Sequence, residues 1–127
     1  MVGYNLRIVL ISAGLLLLTV AAVVFAPQVD PVFIAAQEPN GSDVPVDSAI
    51  SITFSRAVEQ HSAERAFVIY PVVRGRFGWE DDLTMIFTPA EQLQPQTSYR
   101  IIVRAGVRDS RGRPTRSETS WPFRTGE

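Results

Sequence analysis

The stretch Leu93-Gln94-Pro95-Gln96-Thr97-Ser98-Tyr99, running on through Arg100-Ile101-Ile102-Val103-Arg104-Ala105, decides what kind of fold this chain adopts. Tyr99, Ile101, Val103 and Ala105 alternate with Ser98, Ile102 and Arg104, the period of two that marks a half-buried β-strand. Ahead of the strand, Leu93, Pro95, Thr97 and Tyr99 have the L-x-P-x-T-x-Y spacing of a tyrosine corner. Leu93 is expected to plug one end of the core while Pro95 fixes the turn. Tyr99 is then expected to bury its ring and hydrogen-bond a backbone group a few residues upstream. That motif is structural, and it points to a Greek-key sandwich.

Working outward, the same period recurs on both sides. Ile50, Ile52 and Phe54 alternate with Ser51, Thr53 and Ser55. Phe67 to Tyr70 reads as a short strand closed by Pro71, and Val72 to Trp79 as another, where Gly75 and Gly78 permit a bulge or close approach. After the turn Glu80-Asp81-Asp82, Leu83, Met85 and Phe87 alternate with Thr84, Ile86 and Thr88 until Pro89. Asp109-Ser110-Arg111-Gly112 is a hairpin turn in which Gly112 supplies a positive φ. Trp121, Phe123 and Thr125 form the closing strand, and the helical signal is a turn or two at Gln60 to Arg65. The expected inward set is Ile50, Ile52, Phe54, Phe67, Ile69, Leu83, Met85, Phe87, Leu93, Tyr99, Ile101, Val103, Trp121 and Phe123. About seven short strands with frequent turn signals predict an all-β sandwich.

The N-terminal part is different in kind. Ile8 to Ala26 is IVLISAGLLLLTVAAVVFA, nineteen residues without a charge. As a helix it would span roughly 28 Å, close to the hydrocarbon thickness of a bilayer. Arg7 precedes it, and Asp30, Glu38, Asp43 and Asp47 follow before the next basic residue, Arg56. The positive-inside rule therefore leaves the N-terminus in the cytoplasm and exports the remainder. A cleaved signal peptide competes with an uncleaved anchor. The apolar run exceeds the usual signal length of about 7–15 residues, and Pro27 follows the obvious cleavage site after Ala26, so the anchor is preferred. The expected organisation is residues 1–7 cytoplasmic, 8–26 a single transmembrane helix, 27–36 an extended connector and 37–127 the sandwich. The expected location is the cell membrane with the C-terminal domain outside the cytoplasm, or secreted if the signal is cleaved.

Several short motifs in order resemble a known family. They are Pro39-Asn40-Gly41, Val44-Pro45-Val46-Asp47-Ser48-Ala49-Ile50 and Ile52-Thr53-Phe54-Ser55-Arg56-Ala57-Val58. Leu83 to Pro89, Leu93 to Tyr99 and Ala105 to Gly112 continue the match. Together they resemble the bacterial Ig-like domain of the SbsA, or Big_5, family, over roughly Ile34 to Thr125. The resemblance implies an Ig-like Greek-key sandwich used for spacing, adhesion or assembly at the bacterial surface. Members of that family usually stand in arrays or beside catalytic domains, whereas here one copy follows the apolar segment directly.

Composition narrows the chemistry. The chain has 127 residues, 46% of them hydrophobic, with 12 basic and 13 acidic side chains. All the basic residues are Arg, and a net charge of −1 argues against a nucleic-acid binder working through a basic face. Zero Cys excludes disulfides, thiolate-bound zinc, a thiol nucleophile and a lipidated cysteine. The single His, His61, lies in a polar stretch without an assigned carboxylate or nucleophile, so it reads as a surface residue. No Ser occupies a Gly-x-Ser-x-Gly setting. Glu80, Asp81 and Asp82 lack the spacing of a calcium loop and read as turn residues. No catalytic residue, metal site or cofactor is expected. Asp109 and Gly112 join Leu93, Pro95, Thr97 and Tyr99 as structural residues. Trp79, Arg108, Arg111 and Arg113 are the candidate ligand contacts, the Trp for sugar stacking and the Arg for anionic glycans, polymers or lipid headgroups. The expected partners are the membrane, through residues 8–26, and a protein or cell-wall polymer.

The functional expectation is a non-catalytic, membrane-anchored module for spacing, adhesion or assembly. The alternatives are an accessory or truncated part of a cell-wall enzyme and a carbohydrate- or wall-binding module. For the last, Trp79 should be exposed on a flat face.

Overall fold

A computed structural model describes residues 31–127; the expected anchor at 8–26 lies outside the described residues. Among the described residues no helix is long and apolar enough to cross a membrane.

Among the described residues, eight strands form two four-stranded sheets. They are β1 (Ile34–Glu38), β2 (Gly41–Val44), β3 (Ile50–Phe54), β4 (Phe67–Tyr70), β5 (Gly75–Trp79), β6 (Thr84–Pro89), β7 (Ser98–Val103) and β8 (Thr119–Thr125), and the helix α1 spans Gln60–Ala66. One sheet runs β1-β3-β6-β5 and the other β2-β8-β7-β4. All pairings are antiparallel except β2 with β8. The expected all-β sandwich is present, with one strand more than the seven expected.

Alternation accounts for the central strands. In β3, Ile50, Ile52 and Phe54 are buried and Ser51 and Thr53 are half-buried. In β7, Tyr99, Ile101 and Val103 point inward, and in β8 Trp121, Phe123 and Thr125 do. Register places Tyr99 opposite Phe123 and Ile101 opposite Trp121, so apolar side chains meet across the strand pair. Three phenylalanines knit the sheets at the β4/β5 side: Phe67 lies 4.8 Å from Phe87 and 5.4 Å from Phe77, ring centre to ring centre.

The structure departs from the sequence reading at four places. First, Ile34 to Ala36, expected in the connector, already belong to β1, and β2 lies where the sequence reading places no strand. Neither strand alternates: β1 has an irregularity between Ile34 and Ala36, and β2 buries only Val44. They are edge strands held by backbone pairing, which leaves little trace in hydrophobic pattern. Second, the strand expected from Val72 begins only at Gly75, and Val72 is 80% exposed.

Third, Leu83 is 36% exposed rather than inward, and Thr84 takes the buried position instead. The Asp81 carboxylate accepts the N–H groups of Leu83 (2.8 Å) and Thr84 (2.9 Å), so Leu83 belongs to the turn and β6 starts one residue later. The Thr84 hydroxyl is satisfied by that of Thr53 at 3.1 Å on the paired strand. Fourth, Phe67 is half-buried, packed against the core rather than within it.

Candidate functional site

Two ends of the sandwich gather the singled-out residues. The chain enters at one end, where the carbonyl of Phe33 accepts the Ser55 N–H (2.8 Å) at the finish of β3. It leaves at the other, where Gly126 donates to the Val44 carbonyl (3.0 Å) and accepts from Gln96 (2.8 Å).

At the C-terminal end stands the corner around Tyr99. Its ring is buried and stacked on Phe123 at 5.3 Å, and its hydroxyl accepts the Gln94 N–H at 2.9 Å. Leu93 is buried and donates its N–H to the Val46 carbonyl. The Thr97 hydroxyl donates to the Pro95 carbonyl at 2.8 Å, closing the turn at Pro95 locally. A residue not singled out from sequence completes the corner. The buried Thr125 hydroxyl donates to the Gln94 carbonyl at 2.5 Å and accepts the Thr97 N–H at 2.9 Å. Its place at the third inward position of β8 is readable from alternation, but its partners are about thirty residues away in sequence. Beside this corner is an open cleft lined by Asp43, Val44, Gln96, Arg124, Thr125 and Gly126. Asp43 (φ 55°) and Gln96 (φ 51°), the non-glycine residues with left-handed backbone among those described, both border it.

At the N-terminal end the hairpin after β7 is tied down from three sides. The helix α1 begins at Glu59, whose carboxylate accepts the Ser62 N–H. The buried Ser62 hydroxyl accepts the Arg108 N–H at 2.9 Å. The Thr115 hydroxyl accepts the N–H groups of Gly106 and Val107, both at 3.1 Å. The third tie lies within the turn: Asp109 is buried, and one carboxylate oxygen accepts the N–H groups of Arg111 and Arg113, each at 2.9 Å. The other meets the Arg113 guanidinium, with Nε and Nη2 both at 2.8 Å. Gly112, at φ 78°, donates its N–H to the Asp109 carbonyl, and the Arg108 guanidinium donates to the Gly112 carbonyl.

The Arg113 backbone N–H foremost, then the Arg113 side chain and the Arg111 N–H, hold the Asp109 carboxyl below its usual 3.8, against the opposing effect of desolvation. A depressed folded-state value stabilises the fold above the unfolded value, and that contribution is lost as pH falls through the folded one. Stability contributed by this group should therefore be constant at neutral pH and decline below about pH 4. Asp109→Asn should lower the unfolding midpoint at pH 7 and flatten the acid limb of the profile. An unchanged profile in urea titrations would sink the assignment.

Arg113 thus belongs to the turn's own structure, while the side chains of Arg108 and Arg111 stand exposed on it. Trp79 is not on an open face. It is half-buried against the core and stacked on Phe54 at 6.3 Å, with 22° between the rings. His61, exposed on α1, contacts Glu64 at 3.1 Å. Among the described residues, no group of three or more His, Cys, Asp or Glu side chains could hold a metal ion.

A model of the bacterial Ig-like domain family matches residues 25–125. No curated protein matches the chain. Among solved structures, an L,D-transpeptidase from Mycobacterium smegmatis shares 29% identity over 76% of this chain and 41% of its own, with a TM-score of 0.56. L,D-transpeptidase 3 from Mycobacterium tuberculosis shares 24% over 73% of this chain and 37% of its own, at a TM-score of 0.55. The S-layer protein rSbsC(31-844) shares 17% over 76% of this chain and 14% of its own, at 0.52. The chain therefore spans less than half the length of each of these structures.

Proposed function

Because the chain belongs to the bacterial Ig-like domain family, we propose that it is a non-catalytic, membrane-anchored module that works beside a cell-wall transpeptidase on the outer side of the membrane. The likeness to the Mycobacterium smegmatis L,D-transpeptidase carries the choice of partner, since at 29% it exceeds that to the S-layer protein at 17%. A β-sandwich tied at both ends by buried hydrogen-bonded residues suits a stiff spacer. The described residues supply no arrangement in which His61 meets a nucleophile, for its ring is exposed and its neighbour is Glu64. A sugar-binding module is less well supported, because the Trp79 ring already lies against Phe54.

The test is photo-crosslinking from native membranes with a probe on the cleft at the C-terminal end, combined with sedimentation on purified cell-wall sacculi. An L,D-transpeptidase should be the crosslinked partner, and the chain alone should neither sediment with sacculi nor transfer stem peptides. Crosslinking to S-layer subunits, or sedimentation on sacculi without a partner, would overturn the reading.

A further inference from the structure

The charge of the sandwich is unevenly placed. Residues 104–116 contain five Arg (104, 108, 111, 113 and 116) and one acid, Asp109, for a net of +4. The other described residues contain six Arg and eleven acids, for a net of −5. These five Arg lie on the connection between β7 and β8, which also carries Glu118, and each of the five is exposed.

That hairpin stands at the end where the chain enters. Phe33 is bonded to Ser55, and three residues later Val58 forms a β-bridge with Asp109. Phe33 itself is 62% exposed, an aromatic ring left in solvent beside its backbone partner. The apolar run of the sequence ends at Ala26, five residues before Pro31. On the membrane-anchored reading, this is the end of the sandwich that carries the tether.

We propose that the hairpin 104–116 is a docking surface for anionic lipid headgroups, with Arg111 and Arg116 as its principal contacts and Phe33 at the interface. The proposal rests on the membrane-anchored reading above and adds an orientation to it. Arg111 and Arg116 form no side-chain hydrogen bond or ion pair with the described residues, whereas Arg113 is committed to Asp109. Guanidinium groups pair with phosphate through parallel N–H donors, and an exposed Phe ring buries its apolar surface at the boundary between headgroups and acyl chains. Tethering makes the contact intramolecular, so individually weak attractions are populated. The acidic turn Glu80–Asp82 lies at the same end, at the β5–β6 corner, with Asp81 engaged by Leu83 and Thr84. Attraction at the hairpin turns this end of the sandwich to the lipid and directs the C-terminal cleft, at the opposite end, away from it.

The absence of Cys permits a clean test. The full chain carrying Ser110→Cys with an environment-sensitive fluorophore is reconstituted in nanodiscs of phosphatidylcholine, alone or mixed with phosphatidylglycerol. A headgroup spin label should quench the fluorophore in the mixed discs, much less in phosphatidylcholine alone, and less at high salt. A fluorophore at Gln96→Cys, at the opposite end, should remain unquenched. Arg111→Glu and Arg116→Glu should each reduce the docked fraction several-fold while the chain still co-elutes with the discs. Equal quenching in both lipids, or none in a chain that co-elutes, overturns the docking surface. Failure to co-elute overturns the anchor, and with it the tether that the docking requires. Tighter association with a soluble anionic wall polymer than with the mixed discs would overturn the lipid assignment in favour of that polymer.

Discussion

Phe123→Ala should lower the stability of the sandwich by about 3–5 kcal/mol, the usual cost of deleting a fully buried aromatic ring. Phe123 is 2% exposed, sits on β8 between β2 and β7, and stacks on Tyr99 with 15° between the rings. Its cross-strand neighbour on β2 is Gly41, which has no side chain to move into the space. Tyr99, the ring stacked on Phe123, has its hydroxyl committed to the Gln94 N–H. The ring cannot fill the hole without giving up that bond, so most of the cavity should persist. A unit of this size has about 5–15 kcal/mol in total, so the variant should be marginal. Urea unfolding followed by the fluorescence of Trp79 and Trp121 should show a large fall in midpoint with an unchanged slope. Phe123→Leu should recover most of the loss. A midpoint shift for Phe123→Ala no larger than that for Phe123→Leu would mean that the site relaxes, and that the corner is not rigid.

The contrast between Phe123 and Leu83 shows what the sequence made legible. Both are expected inward on the same grounds, alternation with polar neighbours. For Phe123 the expectation holds because β8 is a regular strand between two partners, where register admits only one facing. For Leu83 it fails because Asp81 captures two N–H groups and holds the residue in the turn. That competition between a side-chain cap and a strand ladder is decided by a local bond that hydrophobic periodicity does not encode. The edge strands β1 and β2 escape the pattern for a related reason, being defined by what they pair with rather than by their own alternation. Val58, Ala63, Ala66 and Val107 are buried at the N-terminal end, yet they lie in a loop, a two-turn helix and a hairpin. Their burial follows from the Ser62 and Asp109 clamps, which join segments about fifty residues apart. The charge asymmetry can be counted from sequence alone. Its placement at the end where the chain enters cannot, because it depends on the strand order.

Gly75→Ala should also be strongly destabilising, by about 1–3 kcal/mol, although it adds one methyl group to an edge strand. Gly75 opens β5 opposite Pro89, and a Cβ there would stand 2.5 Å from the Thr88 carbonyl oxygen and 2.5 Å from Cζ of Phe87. The first of these is backbone within the β5–β6 ladder and cannot turn aside. The second belongs to the ring that links Phe67 and Phe77, 4.8 and 5.3 Å away, so displacing it disturbs the joint between the sheets. Relief therefore requires β5 to peel from β6 at this end. At Gly78, three residues along the same strand, an added Cβ would meet nothing within 4 Å. Gly78→Ala should thus be neutral or stabilising by up to about 1 kcal/mol, since Ala loses less backbone entropy on ordering. The pair separates two explanations of glycine in this strand. If flexibility were the reason for both, the two variants should behave alike; if close approach is the reason at Gly75, only that one should fall. Hydrogen exchange at Arg76 and Gly78, the β5 residues in hydrogen-bonded register with β6, should report the peeling in Gly75→Ala directly. Equal midpoints for the two variants would remove the steric account of how β5 is seated.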